Sequence, residues 1–144
     1  MVSWECKPPP ALPEEATSVE QWPVAALVQL PVVRSRLRHR MMQATPPADA
    51  DTVERLLLAL EELASNGLRH GRPPVQVTVA ATAQGWLIDV TDTGIDQPPT
   101  PAVDRDPCTG GLGLYLVAQI CANYGWSAEH DRKHVWAYLR RSRW

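Results

Sequence analysis

Glu61-Glu62-Leu63-Ala64-Ser65-Asn66-Gly67-Leu68-Arg69-His70-Gly71 decides the reading of this chain. On an ideal helical wheel at ~100° per residue, with Glu62 at 0°, Asn66 falls near about 40°, His70 near 80° and Arg69 near −20°. A carboxylate, an amide, an imidazole and a guanidinium thus share one stripe. Val53, Leu56, Leu60, Leu63, Ala64 and Gly67 occupy roughly 100° to 200° on the same wheel, a continuous packing face. The helix has one side for a core and one for chemistry. A polar stripe on a surface helix also has an ordinary reading, a solvated face, so the rest of the chain has to decide between them.

Working outward, the 144 residues suit one domain with a sizeable core. Hydrophobic content of 44% and charged content of 21% are those of a globular chain, and 14 prolines set the connections apart. A formal charge of −2 provides no basic field for a polyanion, which argues against nucleic acid as a partner. Cys6, Cys108 and Cys121 are odd in number and widely spaced, which fits free thiols better than a disulfide framework or a metal site. No run approaches the ~18 apolar residues of a membrane span, and Met1-Val2-Ser3-Trp4-Glu5 lacks the pattern of a secretion signal. The expectation is a cytoplasmic protein without membrane contact.

Residues 1–17 carry Pro8, Pro9, Pro10 and Pro13, and read as a flexible leader to a domain spanning 18–144. Val19 to Val24 suits a short edge strand, where Pro23 is tolerated. Leu30 to Gln43 reads as an amphipathic helix. Its apolar side is Val33, Leu37 and Met41, and Arg34, Arg36, Arg38 and Arg40 form a basic stripe for solubility or for a partner. The apolar side could pair two chains as a homodimer or pack in the core, and the core reading is preferred. Asp49 or Asp51 caps the long helix that ends at His70-Gly71. Val75, Val77 and Val79 alternate with polar residues, and Gln84-Gly85 turns into Trp86–Asp92, giving a hairpin central to the sheet. Residues 95–109 form a long Pro-rich loop. Gly110-Gly111-Leu112-Gly113-Leu114 then opens a helix carrying Leu116, Val117, Ile120 and Cys121, and its unpaired N–H groups make a natural phosphate seat. A closing hairpin is expected from Trp126 to His130 and His134 to Arg140, turning at Asp131-Arg132-Lys133.

Three segments now stand in order: Glu62-x-x-x-Asn66-x-x-x-His70-Gly71, Asp92-x-Gly94, and Gly110-Gly111-Leu112-Gly113-Leu114. Together they resemble the N, G1 and G2 boxes of the GHKL (histidine kinase-like) ATPases. Within that superfamily the chain is most similar to bacterial ATP-binding proteins of the anti-sigma-factor serine kinase type, a likeness extended by Tyr124-Gly125-Trp126 and His134-Val135-Trp136-Ala137-Tyr138-Leu139. Each box alone is a weak signal, and their order supplies the specificity.

The resemblance implies the Bergerat ATP-binding fold, an α+β two-layer sandwich with a mixed, mostly antiparallel sheet and helices on one face. It implies ATP and Mg2+ as cofactors, Asn66 as the metal ligand, Glu62 as the catalytic general base, and Arg69 and His70 near the phosphates. Asp92 would accept from the adenine amino group and Gly94 would let the backbone approach the base. Arg105, Gly110, Gly111, Leu112, Gly113 and Leu114 would complete the nucleotide site. Chemistry is compatible with these roles. Mg2+ takes oxygen ligands and keeps waters, and a carboxylate one helical turn away can take a proton from an attacking hydroxyl. Asp92 as a turn residue and His70 as a helix C-cap are the plain alternatives.

The chain departs from the family pattern in three places. Gly67 stands where Ala is usual, at up to ~1 kcal/mol of helix propensity unless the backbone passes close to the sheet. As a lid over nucleotide this Pro-rich loop is short for the family, with Arg105 its only base. Gly110-Gly111 lacks the Arg or Lys common in that turn.

The function implied first is a protein serine/threonine kinase that binds a sigma factor and an antagonist (anti-anti-sigma) protein whose serine it phosphorylates. The alternatives are the ATPase domain of a two-component histidine kinase acting in trans, and a non-catalytic ATP-sensing interaction module.

Overall fold

The computed structural model describes residues 4–11, 18–44, 47–99 and 112–141. Its elements in chain order are β1 (Ser18–Val24), α1 (Leu30–Gln43), α2 (Ala50–His70), β2 (Val75–Ala81), β3 (Gly85–Asp92), α3 (Leu112–Ile120), β4 (Asn123–Glu129) and β5 (Arg132–Arg140). A single 3-10 turn at Leu27–Gln29 leads into α1. The five strands form one sheet in the order β1-β2-β3-β5-β4. Every one of these pairings is antiparallel, so the expected parallel component reduces to one bridge, Cys6 to Trp126.

α2 is the organising element. Asp49 caps it, accepting from the Thr52 N–H at 3.3 Å, and Pro47 precedes it where a helix cannot yet run. The anticipated face of Val53, Leu56, Leu60, Leu63, Ala64 and Gly67 is buried, and Leu57 and Ala59 extend it. This face lies on Val75 and Val77 of β2, Ile88 and Val90 of β3, and Val135, Ala137 and Leu139 of β5, all in one core. Burying a side chain such as Leu60, 0% exposed, is worth roughly 1.5–3 kcal/mol. Gly67 sits where the helix passes nearest the sheet: a Cβ there would meet Val90 Cγ1 at 3.2 Å and Val75 Cγ1 at 3.4 Å. Close approach is the physical reason for its departure from Ala.

α1 adds Leu30, Val33, Leu37 and Met41 to the same core, so its apolar side packs inward. Its basic stripe is largely ion-paired to neighbours: Arg34 with Glu61 at 3.4 Å, Arg38 with Glu54 at 3.0 Å and Arg40 with Glu20 at 2.8 Å. All are solvated, and each contributes little to stability. α3 buries Leu114 and Val117, whereas Leu116, expected on the apolar face, is exposed.

Two expectations are corrected at the chain's ends. Residues 4–11, read as leader, lie along the free edge of β4. Trp126 N–H donates to Glu5 O at 3.0 Å and Lys7 N–H donates to Trp126 O at 2.8 Å. Trp4 is buried against Tyr124, with ring centroids 4.9 Å apart, and Trp136 Nε1 donates to Lys7 O at 3.0 Å. Aromatic anchoring thus overrides the proline content. The closing hairpin turns at His130-Asp131, with His130 at φ 56°, and not at Asp131-Arg132-Lys133. Arg132 and Lys133 are strand residues of β5, which moves Lys133 from a solvated turn into the interior.

Candidate functional site

The core face of the sheet ends in a carboxylate. Along β3 the residues Trp86, Ile88 and Val90 face the helices, and the alternation of a strand carries Asp92 to that side, where it is 1% exposed. Asp92 Oδ1 accepts from Gly94 N–H at 2.7 Å and Arg72 N–H at 3.3 Å. The Thr93 N–H and hydroxyl tie the same turn to Arg72 O and Pro73 O, at 2.9 Å each. The turn after β3 is therefore fastened to the chain leaving α2.

Asp92 Oδ2 is buried and accepts no hydrogen bond. Lys133 Nζ lies 3.4 Å away, which is ion-pair distance but longer than a charge-assisted hydrogen bond. A buried carboxylate oxygen without a hydrogen-bond donor is costly unless something supplies one, and the group that would satisfy it is an N–H or O–H donor. Gly71 packs directly against the carboxylate. A Cβ at position 71 would lie 2.5 Å from Asp92 Oδ2 and 2.6 Å from its carboxyl carbon. The φ of Gly71 is −87°, so space and not backbone freedom demands glycine here. At Gly94 a Cβ would meet Asp92 Oδ1 at 3.0 Å, a second cramped position against the same group.

α2 carries the other groups. Its unbroken course to His70 puts Glu62, Asn66 and His70 four residues apart on one stripe, as the wheel requires. Glu62 and Asn66 are half-buried, and Arg69 and His70 are exposed at the helix end. No described residue hydrogen-bonds the Asn66 side chain, leaving its amide oxygen available as a hard oxygen donor. The Glu62 carboxylate reaches across to the start of α3, where any side chain at Gly113 would overlap it. Burial raises the Glu62 pKa above the ordinary 4.5, Glu61 adds to the rise, and Arg69 opposes it. A carboxylate with a raised pKa beside a helix N-terminus is suited to taking up a proton. Leu114 is 1% exposed in the core, so its side chain is not available to a ligand. Arg105, Gly110 and Gly111 lie outside the described residues, as does the Leu112 side chain.

Sequence reasoning missed Lys133, Gly71 as a spacer over Asp92, and the Arg72 N–H. Lys133 carried a signal only through strand register, since it pairs directly with Asp92 across β3 and β5. On the opposite face of the sheet His134 Nδ1 pairs with Asp89 Oδ2 at 2.7 Å, away from this site. The Asp89 hydrogen bond raises the His134 pKa, burial opposes it, and the charges of Asp89 and Glu129 add to the rise. Among the described residues Cys6 and Cys121 are free thiols, and burial pushes the Cys121 pKa up to about 12. A thiol so shifted is unreactive. Cys108 lies outside the described residues.

Three helices against a five-stranded antiparallel sheet make a two-layer α+β sandwich, an architecture consistent with the GHKL ATP-binding fold. The chain belongs to the histidine kinase-like ATPase domain family, whose profile matches residues 24–139. It is also similar in structure to the Acinetobacter baumannii histidine kinase AdeS, at 17% identity and a TM-score of 0.48, covering 87% of this chain and 68% of that one. No curated protein matches its sequence. Membership makes this an ATP-binding domain. No helix among the described residues is long and apolar enough to cross a membrane.

Proposed function

We propose that this domain binds Mg-ATP and transfers the γ-phosphoryl group to a serine or threonine of an antagonist protein, within a cytoplasmic partner-switching system that includes a sigma factor. The half-buried Glu62 of α2, packed against Gly113 of α3 and one turn from Asn66, is the observation that carries the reading. Asn66 is assigned as the protein's Mg2+ ligand, and the metal when bound would neutralise charge on the triphosphate. Arg69, His70 and the N–H groups of Gly113 and Leu114 are assigned to the phosphates, and the assignment extends to Arg105, Gly110, Gly111 and Leu112 through the family resemblance. Asp92 and Gly94 are assigned to the base.

In the transfer step the acceptor hydroxyl oxygen forms a bond to the γ-phosphorus as the bond to the β,γ-bridging oxygen breaks. Glu62 takes the hydroxyl proton and ADP leaves with the bond's electron pair. Glu62 must be ionised to act; burial and the Glu61 charge oppose that form and raise its basicity, and Arg69 favours it.

The test is transfer of labelled phosphate from ATP to proteins retained by the domain in the presence of Mg2+. Acid-stable label on serine or threonine that is lost in Glu62→Ala, with ATP binding kept, is the expected result. Acid-labile label on histidine would select the two-component alternative. Tight ATP binding without transfer to any retained protein would select the non-catalytic module.

A further inference from the structure

Lys133 is a buried ammonium that the nucleotide reading above does not use. Its side chain is 3% exposed, on β5, directly opposite Asp92 in the β3–β5 register. A lysine is rarely this buried unless it is paired. Its Nζ donates to Gln97 O at 2.8 Å and faces Asp92 Oδ2 at 3.4 Å. The two partners belong to different parts of the site: Asp92 ends β3, and Gln97 lies in the loop that follows Gly94. That loop folds back on itself, with Gln97 N–H donating to Gly94 O at 3.1 Å and Gly94 N–H to Asp92 Oδ1 at 2.7 Å.

Each oxygen of Asp92 thus has a distinct task. Oδ1 accepts the two backbone N–H groups that fix the turn. Oδ2 is drawn toward the ammonium yet accepts no hydrogen bond, so it stays open to a further donor. An N–H arriving at Oδ2 would complete a continuous set of polar contacts running from ligand to Asp92, to Lys133, to the Gln97 carbonyl. Buried polar networks rigidify when every member is satisfied.

We propose that Lys133 is a positioning residue that aims the open oxygen of Asp92 at the purine amino group and couples base occupancy to the loop of residues 94–99. This rests on Asp92 being the base acceptor. Lys133 touches no reacting atom. Its role is to transmit recognition of one amino group to the loop that leaves the base site.

Hydrogen exchange of the 94–99 backbone tests it in the intact protein at saturating nucleotide, comparing ATP with purine riboside triphosphate, which lacks the 6-amino group. ATP slows exchange in this loop by about fivefold or more, and the amino-less analogue by less than about twofold. In Lys133→Met, ATP gives only the small protection of the analogue. Wild-type affinities that are equal for the two triphosphates would remove Asp92 as the base acceptor, and with it the reading on which the coupling rests. Unequal affinities with equal loop protection would leave the base reading standing and overturn the coupling. If Lys133→Met does not fold, Lys133→Gln is measured in its place, and full ATP protection of the loop in a folded variant would overturn the role of Lys133.

Discussion

Gly71 and Asp92 are held so close that a Cβ at position 71 would fall 2.5 Å from the buried Oδ2 of Asp92. The helix that carries the polar stripe therefore ends directly above the acceptor at the end of β3. Because the Gly71 backbone is extended, alanine meets no conformational barrier there; its Cβ meets the carboxylate and, at 2.7 Å, the Gly67 carbonyl oxygen of α2. Gly71→Ala is expected to keep the fold, displace Asp92 and weaken ATP binding by at least about tenfold, the equivalent of ~1.4 kcal/mol. Calorimetric titration with circular dichroism as the folding control measures it, and unchanged affinity would detach Asp92 from nucleotide.

Asn66 is the one α2 stripe residue assigned to the metal. Asn66→Ala should remove the Mg2+ dependence of ATP binding and lower affinity in the presence of Mg2+, with no change in thermal stability, since no described residue bonds its side chain. Titrations with and without Mg2+ check both halves. A variant that still gains affinity on adding Mg2+ would discard the assignment.

Glu62 gives the transfer reaction a pH dependence. Its carboxyl must be ionised to accept a proton, and its pKa is raised from 4.5, chiefly by burial. The rate therefore falls with decreasing pH through that raised value, so the acid limb lies above the ordinary carboxylate range. Single-turnover transfer across the acid range reads it. A rate unchanged down to the ordinary carboxylate value would show that another group takes the proton.

The His134–Asp89 pair predicts a stability effect of defined sign. The folded His134 pKa lies above its unfolded value near about 6.5, so the pair's contribution is full below that value and is lost as pH rises through the folded pKa. Urea unfolding of wild type and His134→Gln should differ most below about pH 6.5 and converge as pH rises past the folded pKa. A difference that grows with pH would refute the protonated pair.

Leu60, on the core face of α2, is 0% exposed, so Leu60→Ala is expected to cost roughly 2–5 kcal/mol by urea unfolding. A loss below ~1 kcal/mol would mean that the core relaxes around the gap or that α2 is not its centre.

What sequence could reveal divides by range. The faces of α2, the Ser18–Val24 edge strand and the Leu30–Gln43 helix follow from local periodicity and turn chemistry, and they stand where that periodicity put them. Glu62, Asn66 and His70 were legible as one stripe because 3.6 residues per turn is a property of the backbone itself. Lys133 was not legible. Asp131-Arg132-Lys133 has turn composition, and only the positive φ at His130 shifts the reversal back and brings Lys133 opposite Asp92. The Glu62–Gly113 contact and the docking of Trp4 on Tyr124 join residues far apart in the chain, and no local pattern records them. The lone glycine in α2 was recognisable as a departure, but its cause, Val90 at 3.2 Å, exists only in the folded chain.

A crystal structure of the domain with Mg2+ and a non-hydrolysable ATP analogue would decide the assignment of the α2 stripe. The expected result has the Asn66 amide oxygen in the metal shell at about 2.1 Å, Glu62 and His70 turned toward the phosphates, and the base amino group on Asp92 Oδ2. A nucleotide bound elsewhere, with residues 62, 66 and 70 facing solvent and Asp92 untouched, would contradict it.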